Sequence, residues 1–248
     1  MPKLQDDAAM ENHSIGGSHF QFSGTRIDDL GATEYTLGII AIDRSGSTGG
    51  YIRQMEAAVA EVVKACRKSP RADNMMLRVV TFDHLLSEMH GFKPLPNCNE
   101  SDYLNVLRSG GSTALHDAVY EAVKSAITYG KQLVARDYSV NAAVFVITDG
   151  EDNASSVSAS MVKDAIMEAT QSEALESMMS VLIGVGTGAS NLGPYLDAFQ
   201  KGAGFQQYVA IDKADEATLA KLGGFISQSM SSQSKALGSG GSSQSLSF

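Results

Sequence analysis

Three short stretches of this 248-residue chain gather side-chain oxygens in a pattern suited to a hard divalent cation. The first is Asp43, Ser45 and Ser47, alternating within DRSGS. The second is Thr113 in GGSTAL, with Ser112 beside it as a competing hydroxyl, and the third is Asp149 in TDGED. Two carboxylates ~5 Å apart repel by roughly 3 kcal/mol at an effective dielectric of ~20. A cation between them turns that repulsion into attraction. Hydroxyls from Ser45, Ser47 and Thr113 complete an all-oxygen shell, which suits Mg²⁺, Mn²⁺ or Ca²⁺ better than zinc. Taken singly, each stretch has a plainer reading. Ser47 or Thr48 can cap the next helix, Glu151 and Asp152 read as a solvated acidic loop, and Arg44 reads as a surface residue. His116, one turn after Thr113, reads as a half-exposed helix histidine, because no nucleophile stands beside it. The glycine-rich stretch 184–188 lacks dinucleotide spacing and reads as a turn.

These residues need elements to position them. Residues 37–42 (LGIIAI) and 142–147 (AAVFVI) are nearly continuous apolar runs, the pattern of strands covered on both faces. Residues 76–82 read as a further strand, 85–89 as a short edge strand, and 178–185 and 206–211 as two more. Met55, Val59, Val62, Val63 and Cys66 recur at helical spacing, as do Leu115, Val119, Ala122, Ala126 and Ile127. Helices are also expected near 158–173, after Pro194 and at 215–229. Alternating strands and helices predict an α/β fold: a doubly wound, mostly parallel six-stranded sheet with helices on both faces and one antiparallel edge strand. In such sheets ligands bind at the carboxyl ends of strands, where strand order reverses. If the first and fourth strands flank that reversal, Asp43 and Asp149 face each other across one crevice. Residues 1–33 read as an extension holding a single strand at most, and the serine-rich residues 230–248 as a flexible tail.

Composition narrows the function classes. The formal charge of −9 disfavours a phosphate-backbone footprint or an anionic membrane surface as partner. No apolar run reaches the ~18–20 residues that span a bilayer. The first residues lack an apolar signal core, so a cytoplasmic location is expected. Cys66 and Cys98 are expected to be plain thiols.

Together, Asp43-x-Ser45-x-Ser47, Thr113 and the Thr148-Asp149-Gly150 turn, each at its expected loop, resemble the metal-ion-dependent adhesion site of von Willebrand factor A domains. The resemblance covers roughly residues 34–226 of a domain bounded at 34–229, and is nearest the small stand-alone bacterial and phage proteins of this family, including tellurite-resistance-associated ones. It implies a Rossmann-like fold, with Mg²⁺ (or Mn²⁺ or Ca²⁺) held by Asp43, Ser45, Ser47, Thr113 and Asp149, the last directly or through water. It also implies a protein partner that presents an acidic side chain to the metal, an AAA+ ATPase among the possibilities. A non-enzymatic adaptor is the expectation. The rivals are a metal-dependent hydrolase or phosphotransferase and a self-assembling structural component of a phage or defence complex.

Overall fold

The computed structural model describes residues 10–189, 191–240 and 246–248. Among these, a single sheet runs in the order β1-β2-β5-β4-β3-β6-β7-β8. The strands are β1 (Met10–Ser14), β2 (Gln21–Thr25), β3 (Glu34–Asp43), β4 (Met75–Phe82), β5 (Leu86–Pro94), β6 (Ser139–Thr148), β7 (Met178–Val185) and β8 (Gln207–Ile211). Strands β4, β3, β6, β7 and β8 run parallel to one another, and β5 pairs with β4 antiparallel. Helices α1 (Ile52–Arg67) and α5 (Glu216–Ser239) cover one face. Helices α2 (Leu115–Val134), α3 (Ala159–Gln171) and α4 (Leu192–Ala203) cover the other. Strand β3 sits at the centre because residues 35–43 are buried on both faces, which only a strand with neighbours and helices all round can achieve.

The α/β class and the parallel centre are as the sequence predicts, but the sheet has eight strands, not six. The extension supplies the extra two. Its β1–β2 hairpin is antiparallel and lies alongside β5, so β5 is an interior strand with β2 beyond it rather than an edge. The hairpin docks through Ile15, Phe20 and Phe22, all buried, with Phe22 edge-on to Phe92 at 5.8 Å between ring centroids. Only one residue pair, Gly24 with Phe92, joins β2 and β5 in register. The rest of the seam is side-chain chemistry, where the Glu88 carboxylate accepts the Ser23 N–H at 3.1 Å. Gly91 makes this possible, since a Cβ there would lie 1.9 Å from the Ser23 carbonyl oxygen.

Beneath that seam lies an ionic cluster that sequence periodicity conceals. Arg78, in the middle of β4, is 1% exposed. It donates to both oxygens of Glu121 on α2 (2.6 and 2.9 Å) and to Glu88 on β5 (2.7 Å).

Helix α5 also runs ten residues past the expected start of the tail. Met230, Gln233, Ser234 and Leu237 are buried. Two of its buried polar residues are paired: the Asn141 amide donates to the Gln233 carbonyl (2.8 Å), and Arg71 Nε donates to the Ser234 hydroxyl (2.9 Å). At the chain end, the Leu246 carbonyl accepts from Gln207 Nε2 at 2.9 Å, and Phe248 stands edge-on to Phe225. Residues 241–245 of the expected tail lie outside the described residues.

Candidate metal centre

Strands β3 and β6 pair in parallel, with Ile42 opposite Ile147. Their carboxyl ends therefore deliver Asp43 and Thr148 side by side, with Asp149 next in the chain. Strand order reverses between them: β3 leads through α1 to β4 on one flank, while β6 lies on the other. Crevices form at such reversals, because the connecting loops diverge to opposite faces.

Asp43 is completely buried. Its Oδ1 accepts the Ser45 N–H (2.7 Å) and its Oδ2 accepts the Thr148 hydroxyl (2.6 Å). The chain then enters a 3₁₀ turn at Gly46–Gly50. This turn brings the Ser47 hydroxyl to Asp149 Oδ1, to which it donates at 2.7 Å, and to within 3.2 Å of Ser45 Oγ. Neither serine nor Thr48 caps a helix. No side chain caps α1, and the Thr48 hydroxyl donates to the Ser45 carbonyl at 2.8 Å. The capping alternative therefore fails for Ser47.

Thr113 arrives on a loop that is zipped to the other two. Gly111, at φ +81°, turns the chain in the left-handed region, and a Cβ there would lie 2.6 Å from His84 Nδ1. Its carbonyl accepts the Gly46 N–H (3.1 Å). The Thr113 N–H donates to the Asn153 side-chain oxygen (2.8 Å), and its carbonyl accepts the Asn153 N–H (2.9 Å). Its hydroxyl abuts Gly150, where a Cβ would fall 2.9 Å from Oγ1. Thr113 is buried and Ser112 exposed, so Thr113 supplies the hydroxyl on this side. One turn on, Asp117 accepts the Ser156 and Val157 N–H groups (3.0 and 2.8 Å) and fixes the loop after Asp149 against α2.

All five residues singled out by spacing thus meet at one end of the sheet. Their donors fit a hard cation on chemical grounds. Asp43 and Asp149 make no ion pair among the described residues, although they are close enough for Asp149 to act on its neighbour. Burial, reinforced by the Asp149 charge, pushes the Asp43 carboxyl above its ordinary pKa despite the hydrogen bonds it accepts. Two carboxylates converging without a compensating side chain are what a divalent ion would neutralise. Among the described residues no group of three or more His, Cys, Asp or Glu side chains is placed to share an ion. The available chemistry is therefore carboxylate plus hydroxyl.

Two neighbours depart from expectation. Arg44 is not a surface residue: it turns into the β4–β5 connection and pairs with Asp83 at 2.8 Å, 13% exposed. Asp152 is not solvated. Its carboxylate accepts the His116 N–H at 3.1 Å, satisfying a free donor in the first turn of α2. Glu151 is exposed, as expected. The His116 ring stacks on Phe199 at 4.9 Å, with Nδ1 3.3 Å from the Val157 carbonyl, in keeping with a structural histidine. Asp117, Asn153 and Tyr51 escaped the sequence reading altogether. Tyr51, at the mouth of α1, buries its hydroxyl beside Asp149. Burial, together with the nearby Asp149, raises its pKa. Nothing in the motif spacing marks it.

The family model for the von Willebrand factor type A domain matches residues 39–223, a span that includes every residue of this cluster. The chain belongs to that family. Solved structures share the fold at low identity. The PilB minor pilin from Streptococcus sanguinis is 14% identical, with a TM-score of 0.58 over 84% of this chain and 64% of that one. The pilus adhesin SpaC from Lactobacillus rhamnosus GG is 10% identical, with a TM-score of 0.56 over 89% of this chain and 32% of that one. Proximal thread matrix protein 1 from the mussel byssus, described with a zinc-occupied MIDAS motif, is 16% identical, with a TM-score of 0.52 over 79% of this chain and 46% of that one. This chain spans less than two thirds of each of these structures. No curated protein matches. No helix among the described residues is long and apolar enough to cross a membrane.

Proposed function

We propose that this von Willebrand factor A domain is a divalent-cation-dependent protein-binding module. Asp43, Ser45, Ser47, Thr113 and Asp149 would hold the ion, and an acidic side chain of a partner protein would complete its shell. The observation that carries this reading is the convergence of two unpaired carboxylates with three hydroxyls at the strand-order reversal. When bound, the ion supplies a Lewis-acidic position that a partner's carboxylate can occupy. This chain's residues do the rest. Asp43 is locked by Ser45 and Thr148, Ser47 orients Asp149, Asn153 holds the Thr113 loop in register, and Asp117 fixes the loop after Asp149 against α2. Mg²⁺ suits a site of carboxylates, hydroxyls and solvent, with Mn²⁺ and Ca²⁺ as competitors.

Hydrolysis at the same oxygens needs a group to take a proton from water. The nearby histidine, His116, is committed to Phe199 and Val157 instead, so binding without turnover is the better reading. The test is affinity capture with the tagged chain in Mg²⁺, in chelator, and with Asp149→Ala. The expected outcome is a protein retained only by the wild-type chain with Mg²⁺, and no Mg²⁺-dependent release of phosphate from phosphoesters. Retention unchanged by chelator and by Asp149→Ala would sink the proposal.

A further inference from the structure

On the α2 face of the sheet, the β1–β2 hairpin borders β4 and β5 along a cleft of about 240 Å³. Sites for drug-sized ligands occupy roughly 300–1,000 Å³, so this cleft suits something nearer a single long side chain. Its lining is divided by chemistry. The floor is ionic: Arg78 from β4, Glu88 from β5 and Glu121 from α2. The walls are apolar, with Phe20 from the hairpin, Leu86 from β5 and Leu85 from the β4–β5 connection.

The floor does not balance, because one guanidinium serves two carboxylates. Arg78 and Glu88 are the charged groups that act on Glu121. Arg78 is committed, with Nε on Glu88 and Nη1 and Nη2 on Glu121, and Nη1 also donates to the Ser125 hydroxyl at 3.1 Å. Both Glu88 oxygens are taken up as well, by Arg78 and by the Ser23 N–H. Glu121 is different. Each of its oxygens accepts a single hydrogen bond, both from Arg78, which leaves about two of a carboxylate's roughly four acceptor positions open. The residue is only 2% exposed. Burial holds its carboxyl above the ordinary range even with Arg78 alongside. A second cation that brought donors through the cleft would offset that cost.

The walls decide which cation. A hard metal ion needs a shell of oxygens, and Phe20, Leu85 and Leu86 offer none. Among the described residues no group of three or more His, Cys, Asp or Glu side chains is placed to share an ion. An ammonium on an aliphatic stem matches both halves of the lining, with three donors for the carboxylates and methylenes for the walls. Leu85, 61% exposed, is tethered by its N–H to Asp83 Oδ1 (2.8 Å), and an alkyl stem would take it out of water. We propose that this cleft binds a primary alkylammonium group, with its donors on Glu121 and Glu88 and its stem along Phe20, Leu85 and Leu86. A free small amine and the lysine side chain of a polypeptide share that chemistry. The site uses no metal and stands independently of the metal-dependent reading above.

The experiment is a backbone-amide NMR titration of the full chain in EDTA with three probes: n-pentylammonium, 1-pentanol and Nα-acetyl-lysine-N-methylamide. Pentylammonium should give saturable shifts centred on residues 19–21, 85–88 and 121. Pentanol, with the same stem and no charge, should bind at least about tenfold more weakly, the usual worth of a hydrogen bond to a charged group. Glu88→Gln, which keeps an acceptor for Ser23 but removes a charge, should weaken pentylammonium binding, as should Leu85→Asn at its exposed position. Capped lysine binding as tightly as pentylammonium assigns the cleft to a polypeptide's lysine, and binding of pentylammonium alone assigns it to a free amine. No saturable shifts in the cleft, equal binding of amine and alcohol, or folded variants that bind as the wild type does would each overturn the proposal. The comparison of amine with alcohol needs only the wild-type chain, so it decides the question even if a variant fails to fold. With chelator present throughout, failure here leaves the metal-dependent reading untouched.

Discussion

Asp43 and Asp149 divide the work of the site. Asp43 is sealed at the end of β3 with both oxygens already accepting hydrogen bonds, so its position is fixed by the fold, whereas Asp149 is held by the Ser47 hydroxyl, with Tyr51 beside it. Removing that hydroxyl with Ser47→Ala takes away a proposed ligand and the group that orients Asp149. Mg²⁺ affinity measured by calorimetry should fall at least 10-fold. Asp117→Asn touches no ligand but weakens the clamp on the loop behind Asp149. The expected loss is about 10–100-fold in Mg²⁺ affinity, as for other partners that orient metal ligands, with thermal stability lowered only modestly. A pH effect belongs to a different residue. His90 is half-buried, with its ring nitrogens engaged by Tyr103 Oη (2.7 Å) and the Gly91 carbonyl (2.8 Å). Burial depresses its pKa from 6.5 to about 4. The unfolded chain takes up a proton below about pH 6.5 while the folded one does not until about 4. Stability is therefore fully present above 6.5 and erodes as pH falls through that window. Thermal melts from pH 7 to 4.5 should show a steeper decline for the wild type than for His90→Gln, and parallel curves would contradict the assignment. At this scale the convergence of the five candidate ligands was readable because their types and spacing are local. Tyr51, Asp117 and Asn153 were not, since each acts on a residue brought near only by the fold, as Asn153 does on Thr113, 40 residues away. Arg44 was misread because alternation along a strand says which way a side chain leaves, not which loop folds over it.

Among the elements, the β1–β2 hairpin and the end of α5 taught the most. Strand β3 and strand β6 could be read from their unbroken apolar runs, and β7 from residues 178–185 to its exact bounds. The hairpin is too short and too mixed in composition for periodicity to register, yet it buries Phe20 and Phe22 against β5 and α2. Its fit depends on Gly91. Gly91→Ala places a methyl carbon 1.9 Å from the Ser23 carbonyl oxygen, and relieving that overlap means lifting the hairpin. A loss of about 1–3 kcal/mol in urea unfolding is expected, with increased proteolysis before residue 26 and Mg²⁺ binding retained. The Arg78 cluster predicts a larger effect. Glu121→Ala strands a guanidinium that is almost wholly buried, and breaking such a pair costs about 3–5 kcal/mol. A loss below about 1 kcal/mol would show that water or Glu88 compensates. The end of α5 was hidden for a related reason. Gln233 and Ser234 look like linker residues, but Asn141 and Arg71 satisfy them in the core, and composition cannot reveal a partner at the far end of the chain.

The whole molecule places its acidic charge and its site in opposition. At a formal charge of −9 it attracts cations and repels an acidic partner. A partner carboxylate should therefore gain access only once the two aspartates are neutralised, and binding should be switched off by chelation rather than merely weakened. The architecture makes this economical. A rigid parallel sheet fixes one carboxylate at the end of β3 and places the other just beyond β6, and the loops at the strand-order reversal bring the hydroxyls to them. All of that was implicit in the alternation of strands and helices. The sheet's full width was not, because it depends on the β1–β2 hairpin meeting a strand distant in sequence. The most direct test is isothermal titration of Mg²⁺ into the full chain and into Asp43→Ala. The account predicts saturable one-site binding by the wild type and none by the variant. Equal binding by both, or none by either in Mg²⁺, Mn²⁺ and Ca²⁺ alike, would contradict it.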